Sequence, residues 1–541
     1  MKIKGKLVDI FNRQIYNAEI TIENSKITEI SKIDEEQEQY IIPGFIDSHI
    51  HIESSMLVPT RFAEISVPHG TVACVSDPHE IANVLGEAGV MFMIENSKNS
   101  PQKFFFGVPS CVPATDFETS GAVIDAEITD KLLQNDDIFF LAEMMNFPGV
   151  INDVPEVTTK LDLAKKYGKP IDGHAPLLSG DALKKYATAG ITTDHECTNI
   201  KEAEEKINLG MKILIRNGSA AKDFDNLFPL IDKYPDKVMF CSDDRHPDDL
   251  IEGHINILVK ESIKRGAELF NVLQAACINP VLHYNLPVGL LRKGDPADLI
   301  IVDNLQIFNI QKSIINGNII FEKGEINFNI PKLEKKPNKF EKIKLLAEEI
   351  KVKAETQKIR VIKAFDKSLL TKQMIVDAKV KNGFLQIDTE KDILKIVVVN
   401  RYKKAKPSIA FINGIGLKKG ALATSVAHDS HNIIAIGTSD EEIVNALNAV
   451  SENKGGMAIS ENNNISILPL PIAALMSDSS GYEIAKKYKE LNKKAKTLGT
   501  ELNAPFMTMS FMALLVIPEL KLGDKGLFDV TKFSFTNLFV E

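Results

Sequence analysis

The chain has 541 residues, 44% of them hydrophobic and 25% charged, with a formal net charge of −9. A single core stops growing beyond about 250–300 residues, so more than one domain is expected. The acidic balance offers no basic patch to nucleic acid, and no apolar stretch approaches the ~20 residues of a membrane-spanning helix. Five scattered cysteines (Cys74, Cys111, Cys197, Cys241 and Cys277) make no C-x-x-C and lie in apolar stretches. They read as buried free thiols of a reducing cytoplasm. The opening Met1-Lys2-Ile3-Lys4-Gly5-Lys6 alternates like a strand, not like a secretory leader.

Residues 1–40 alternate apolar and polar, as in Lys6-Leu7-Val8-Asp9-Ile10, which predicts hairpin strands. From residue 41 the texture changes to short buried strands separated by helical segments. The strands fall at 41–46, 71–76, 104–109, 138–143, 170–174, 190–195, 211–216 and 237–242. Such a series of βα units over 41–285 predicts an α/β fold, a TIM (β/α)8 barrel. Residues 287–291 and 294–303 read as strands that rejoin 1–40, so 1–40 and 286–335 together make a small β-sandwich from both flanks. The lysine-rich stretch 332–344, with Pro331 and Pro337, reads as a solvated linker. Residues 345–541 form a further C-terminal αβ domain, with strands at 393–399 and 408–411 and a helix at 440–450.

His49-Ile50-His51 is the most informative tripeptide. In a strand, residues i and i+2 point the same way, so both imidazoles face one point in space. Barrel enzymes carry their chemistry at the C-terminal ends of strands. Here those ends bear His49 and His51, Asp77, Glu143, His174, His195 and Asp243. Imidazoles and carboxylates recurring at one end of separate strands point to a divalent, binuclear metal site. His49 and His51 take one ion, His174 and His195 the second, and Glu143 bridges them. Asp243 completes the first ion and serves as general base and then general acid. Asp244, beside it, is the open alternative as the metal-binding member of the doublet. Two ions about 3.5–4 Å apart lower the pKa of a shared water to about 7, which makes a hydrolytic nucleophile. The segment Asp77-Pro78-His79-Glu80 lies on the same face and is a pocket element; a helix start is the alternative reading of His79 and Glu80.

Pro43-Gly44-Phe45-Ile46-Asp47-x-His49-x-His51, with the later Gly294-Asp295-Pro296-Ala297-Asp298-Leu299, resembles the amidohydrolase superfamily of metal-dependent hydrolases. Longer stretches bring it nearest to the bacterial adenine deaminases. They are His49-Ile50-His51-Ile52-Glu53-Ser54-Ser55-Met56, Asp77-Pro78-His79-Glu80-Ile81-Ala82-Asn83-Val84, Asp172-Gly173-His174-Ala175-Pro176, Asp243-Asp244-Arg245-His246-Pro247, and the regions 142–150 and 425–432. That resemblance spans nearly the whole chain. It implies hydrolysis of adenine to hypoxanthine and ammonia in purine salvage, by metal-activated water attacking C6. It also implies manganese or iron, not the zinc of deaminases that combine H-x-E with P-C-x-x-C. Adenine is the expected small-molecule partner and a homodimer the expected assembly. Protonation of the purine N1 needs a donor; Asp244, Glu53, His79 and His431 are candidates. Glu53, Asp77, His79, Asp244, His428 and His431 are the candidate substrate-pocket residues.

Two other functions compete. A cyclic amide hydrolase of dihydropyrimidinase or dihydroorotase type shares the barrel and histidines but bridges its metals with a carbamylated lysine, where this chain has Glu143. A barrel that has lost its metals would not keep all six ligand positions filled. The segment 425–432 packs polar side chains between apolar runs, which predicts a contribution to the active site at the barrel mouth; a tight turn that satisfies its own backbone is the alternative.

Overall fold

Short runs rich in Val, Ile, Phe and Leu pair as parallel strands in the computed structural model, which describes residues 1–540. The barrel strands, numbered in chain order, are β1 (Phe45–Ile50), β2 (Thr71–Ser76), β3 (Lys103–Val108), β4 (Ile138–Met144), β5 (Ile171–Gly173), β6 (Thr193–Asp194), β7 (Lys212–Arg216) and β8 (Val238–Cys241). β1 to β5 form one ladder and β6 to β8 another. Parallel bridges close both seams, Ile171 to Ile191 and Ile50 to Asp243. Every residue of β1 and β2 is buried, as expected for parallel strands wrapped by helices such as Pro59–Ser66, Pro155–Lys166 and Ile255–Lys264.

Two expected strands are corrected. The run 41–46 is not one strand but divides at Gly44. Tyr40–Pro43 pairs with Leu299–Val302 and with Lys2–Asp9 in the small sheet, while Phe45–Ile50 opens the barrel. A Cβ at Gly44 would meet Val72 Cγ1 at 2.2 Å, so only glycine lets the chain cross so close to β2. Residues 287–291 are buried at Val288, Leu290 and Leu291 but irregular. Their N–H groups go to side chains instead of a ladder: Gly289 N–H donates to Asp298 Oδ2 and Leu290 N–H to Asp295 Oδ2, both at 2.9 Å.

The small sheet has eight strands, with Tyr40–Pro43 joining the two flanks of the chain at its centre. Its sides share one core, in which Ile20, Ile22 and Ile27 meet Leu291, Leu299 and Ile301. The linker is only partly solvated. Leu345 is buried, and Phe340 and Ile343 pack with it against the C-terminal core around Val450 and Ile433.

Beyond it, Lys358–Lys363, Ser408–Asn413, Leu394–Val399, Ile433–Gly437 and Ala421–Thr424 lie side by side in a nine-stranded sheet. Helix Asp440–Glu452 packs on that sheet, with Ser439 accepting the Glu442 N–H as its N-cap. The domain sits on the barrel. One continuous apolar cluster runs from Ile50, Met56 and Phe62 to Ile434, Leu470 and Phe511. Among the described residues no helix is long and apolar enough to cross a membrane.

Candidate metal centre

β1 delivers His49 and His51 to the barrel mouth, both buried, with their Nε2 atoms 3.2 Å apart. His51 Nδ1 is engaged by the Asp77 carbonyl at 3.1 Å, which leaves Nε2 for the mouth. Glu143, at the end of β4, stands between the histidine pairs. Its Oε1 is 3.2 Å from His51 Nε2 and 4.0 Å from His49 Nε2. Its Oε2 is 2.6 Å from His174 Nδ1 and 3.3 Å from His195 Nε2. Asp243 Oδ1 lies 3.2 Å from His51 Nε2 and 3.9 Å from His49 Nε2. The six residues expected as metal ligands therefore converge.

Asp243 holds this place with a φ of 53°, in the left-handed region. It is fixed there from both sides, its N–H donating to the His49 carbonyl at 3.0 Å and its carbonyl accepting the His51 N–H at 3.4 Å. Such a conformation away from glycine is retained where the surroundings over-determine it, commonly at functional sites.

The donor set fits divalent metal. Ring nitrogens and carboxylate oxygens of His51, Asp77, His79 and Glu143, of His49, His195 and Asp243, and of Glu143, His174 and His195 each lie within 4.8 Å of one another. Two facing Nε2 atoms cannot satisfy each other when both are unprotonated, and His49 Nδ1 has no partner. Burial lowers the His49 imidazole well below its usual range, with His195 and His51 adding to it, so it is a neutral donor. Burial alone would raise Glu143, but His174, His195 and His51 hold it well below the usual carboxylate range. Asp243 is likewise held low, against burial, chiefly by Arg216 and His51.

The pocket candidates gather around this cluster. His79 Nδ1 is 3.2 Å from Asp77 Oδ2 and 3.4 Å from Glu143 Oε1. Ser54 Oγ donates to Asp244 Oδ1 at 2.5 Å. Glu53 accepts the Ile81 N–H at 3.1 Å through Oε1, its Oε2 has no partner, and burial pushes it up to about 7. His428 and His431 both reach Glu80.

Two residues, Arg216 and Glu196, escaped the sequence reading of the site. Arg216, the last residue of β7, donates to Asp243 Oδ2 at 2.8 Å and to Asp223 Oδ2 at 2.9 Å, and pairs with Glu196. Glu196 Oε1 in turn lies 3.5 Å from His195 Nε2 and 3.8 Å from His174 Nδ1. The strand-end rule applied to β7 would have found Arg216. Glu80 was read within the pocket segment Asp77-Pro78-His79-Glu80, but without its histidine partners.

A closed parallel barrel with imidazoles and carboxylates crowded at its C-terminal mouth defines a metal-dependent hydrolase of the amidohydrolase type. The Amidohydrolase family model matches residues 40–320, and the Adenine deaminase C-terminal domain model matches 368–534. An adenine deaminase of Methanosarcina mazei is 54% identical over 100% of both chains. One of Parabacteroides distasonis is 50% identical over 99% of this chain and 98% of its own. Among solved structures, a β-aspartyl dipeptidase of Fervidobacterium islandicum-AW-1 aligns with a TM-score of 0.47 at 15% identity, over 61% of this chain and 100% of that one. The chain belongs to the adenine deaminase family.

Proposed function

We infer that the chain hydrolyses adenine to hypoxanthine and ammonia. The full-length identity to adenine deaminases, the C-terminal domain included, carries the reading. The six converging donors are its chemical support. His49 and His51 would hold one ion and His174 and His195 another, with Glu143 between them and Asp243 on the first. The bound metal, manganese or iron, supplies a water whose pKa is lowered to about 7.

Asp243 Oδ1 would be the base that takes a proton from the attacking water as its oxygen bonds to C6. Arg216 keeps Oδ2 occupied at 2.8 Å, which aims Oδ1 at the histidines. A proton delivered to N1 draws the ring electrons away from C6. Asp244, Glu53, His79 and His431 are the candidate donors of that proton. Asp243 then returns its proton to the amino group, the C6–N bond breaks and ammonia leaves, and the C6 hydroxyl proton restores the group that protonated N1 as the carbonyl forms. The five buried thiols support a reducing, cytoplasmic setting, and a homodimer is the assembly to be read by light scattering.

The test compares ammonia release from adenine with ring opening of a dihydropyrimidine, using protein loaded with manganese or with iron. The reading expects the first activity and not the second. Ring opening without deamination would move the chain to the cyclic amide hydrolases.

A further inference from the structure

Glu80 opens the helix His79–Leu85 and is 2% exposed. Its two oxygens are held by different histidines of the C-terminal domain, Oε1 by His428 Nδ1 and Oε2 by His431 Nε2. His431 Nδ1 accepts the Ala427 N–H at 3.2 Å, so its proton sits on Nε2 and is donated to Glu80. The His428 ring lies flat against Phe511, centroids 4.5 Å apart and planes 9° apart. Both histidines occupy the turn between Ala421–Thr424 and Ile433–Gly437. On the other side, Glu80 Oε1 is 3.6 Å from His79 Nε2, and His79 Nδ1 is 3.4 Å from Glu143 Oε1. One carboxylate and one imidazole thus connect the C-terminal domain to the centre of the donor cluster.

Interdomain packing alone would be served better by apolar side chains, because removing a carboxylate from water is costly even when it is paired. Each carboxylate oxygen also keeps a second lone pair after receiving one N–H. Glu80 is therefore gripped from behind while its Oε1 stays within ion-pair range, 3.6 Å, of the His79 ring in front.

We propose that His428 and His431 are positioning residues of the active site, through which the C-terminal domain fixes Glu80, and with it His79, against the bound purine. This rests on the adenine reading. It makes the active site a product of both domains, and the long C-terminal domain a requirement for turnover.

The test uses full-length, metal-loaded protein. His428→Phe and His431→Phe fill the same space without the donor. Each should lower kcat for adenine about 10- to 100-fold, the scale of a small misplacement near the chemistry, with metal content per chain unchanged. Asn places its amide nitrogen near Nδ1 and Gln near Nε2. His428→Asn and His431→Gln should therefore recover most of the rate, and His428→Gln and His431→Asn should not. That pattern decides the matter even where a Phe variant fails to fold. Glu80→Gln combined with His431→Phe should cost no more than Glu80→Gln alone. Wild-type kcat in the Phe variants, losses that multiply with Glu80→Gln, or equal rescue by Asn and Gln would each overturn the proposal. A wild-type enzyme that releases no ammonia from adenine would instead overturn the reaction on which it rests.

Discussion

Asp47 and His49 stand two residues apart on one face of β1, and both sit among histidines and carboxylates. Asp47 accepts the His49 N–H at 3.2 Å, the Ser242 N–H at 3.1 Å and the Ser242 hydroxyl, and His254 Nε2 lies 2.7 Å from it. Thr71 Oγ1 closes the chain on His254 Nδ1 at 2.7 Å. Every donor there has an acceptor. One layer up, His49 and His51 turn Nε2 atoms toward each other at 3.2 Å, and His49 Nδ1 is left without a partner. The lower layer is complete as protein. The upper layer is left with the donor set of a divalent metal site. Counting ligand-type residues does not separate the two; hydrogen-bond satisfaction does.

The comparison breaks most visibly at Asp243. Asp243→Asn should cut kcat for adenine about 10²–10⁴-fold, the usual range for losing a general acid–base group, with a smaller effect on adenine binding. A larger loss in Asp244→Asn would transfer the role to its neighbour. Glu143→Gln should leave the barrel folded, by circular dichroism, while elemental analysis finds fewer than two metals per chain. Undiminished metal and turnover would remove Glu143 from its bridging place.

In the satisfied layer the signature should invert. His254→Ala leaves Asp47 short of a charge-assisted hydrogen bond, worth about 1.5–3 kcal/mol. Denaturant unfolding should register that loss while metal content stays at the wild-type level. Loss of metal with unchanged stability would merge the two layers into one site.

The smallest effect concerns His246, whose Nδ1 meets the Tyr488 hydroxyl at 2.7 Å and which burial lowers to about 4. The native imidazole stays neutral where the unfolded one, near 6.5, takes a proton. The unfolded state then binds more protons, so stability falls as pH drops from about 6.5 to about 4. The slope is up to about 1.4 kcal/mol per pH unit. Urea unfolding at pH 7 and pH 5 should show a flatter pH dependence in His246→Gln than in the wild type.

The barrel and its donors were legible because strand periodicity and strand ends are local. His49-Ile50-His51 announces its geometry within three residues, and Glu143 and Asp243 each follow a short apolar run. Contacts set by the tertiary fold were not. Glu80 meets His428 across 348 positions, and no periodicity ties the two. The apolar run 287–291 looked like a strand because its burial is real, but Asp295 and Asp298 take its N–H groups. Gly44 hid a domain crossing inside one apolar run, since the near approach of Val72 that demands glycine is invisible in sequence.

Metal removal and return test the central claim most directly. Protein stripped by a chelator should release no ammonia from adenine, and activity should rise with added Mn²⁺ until two ions are bound per chain, with hypoxanthine and ammonia formed in equal amounts. Adenine turnover by metal-free protein at the wild-type rate, or saturation with no metal bound at His49 and His51, would contradict it.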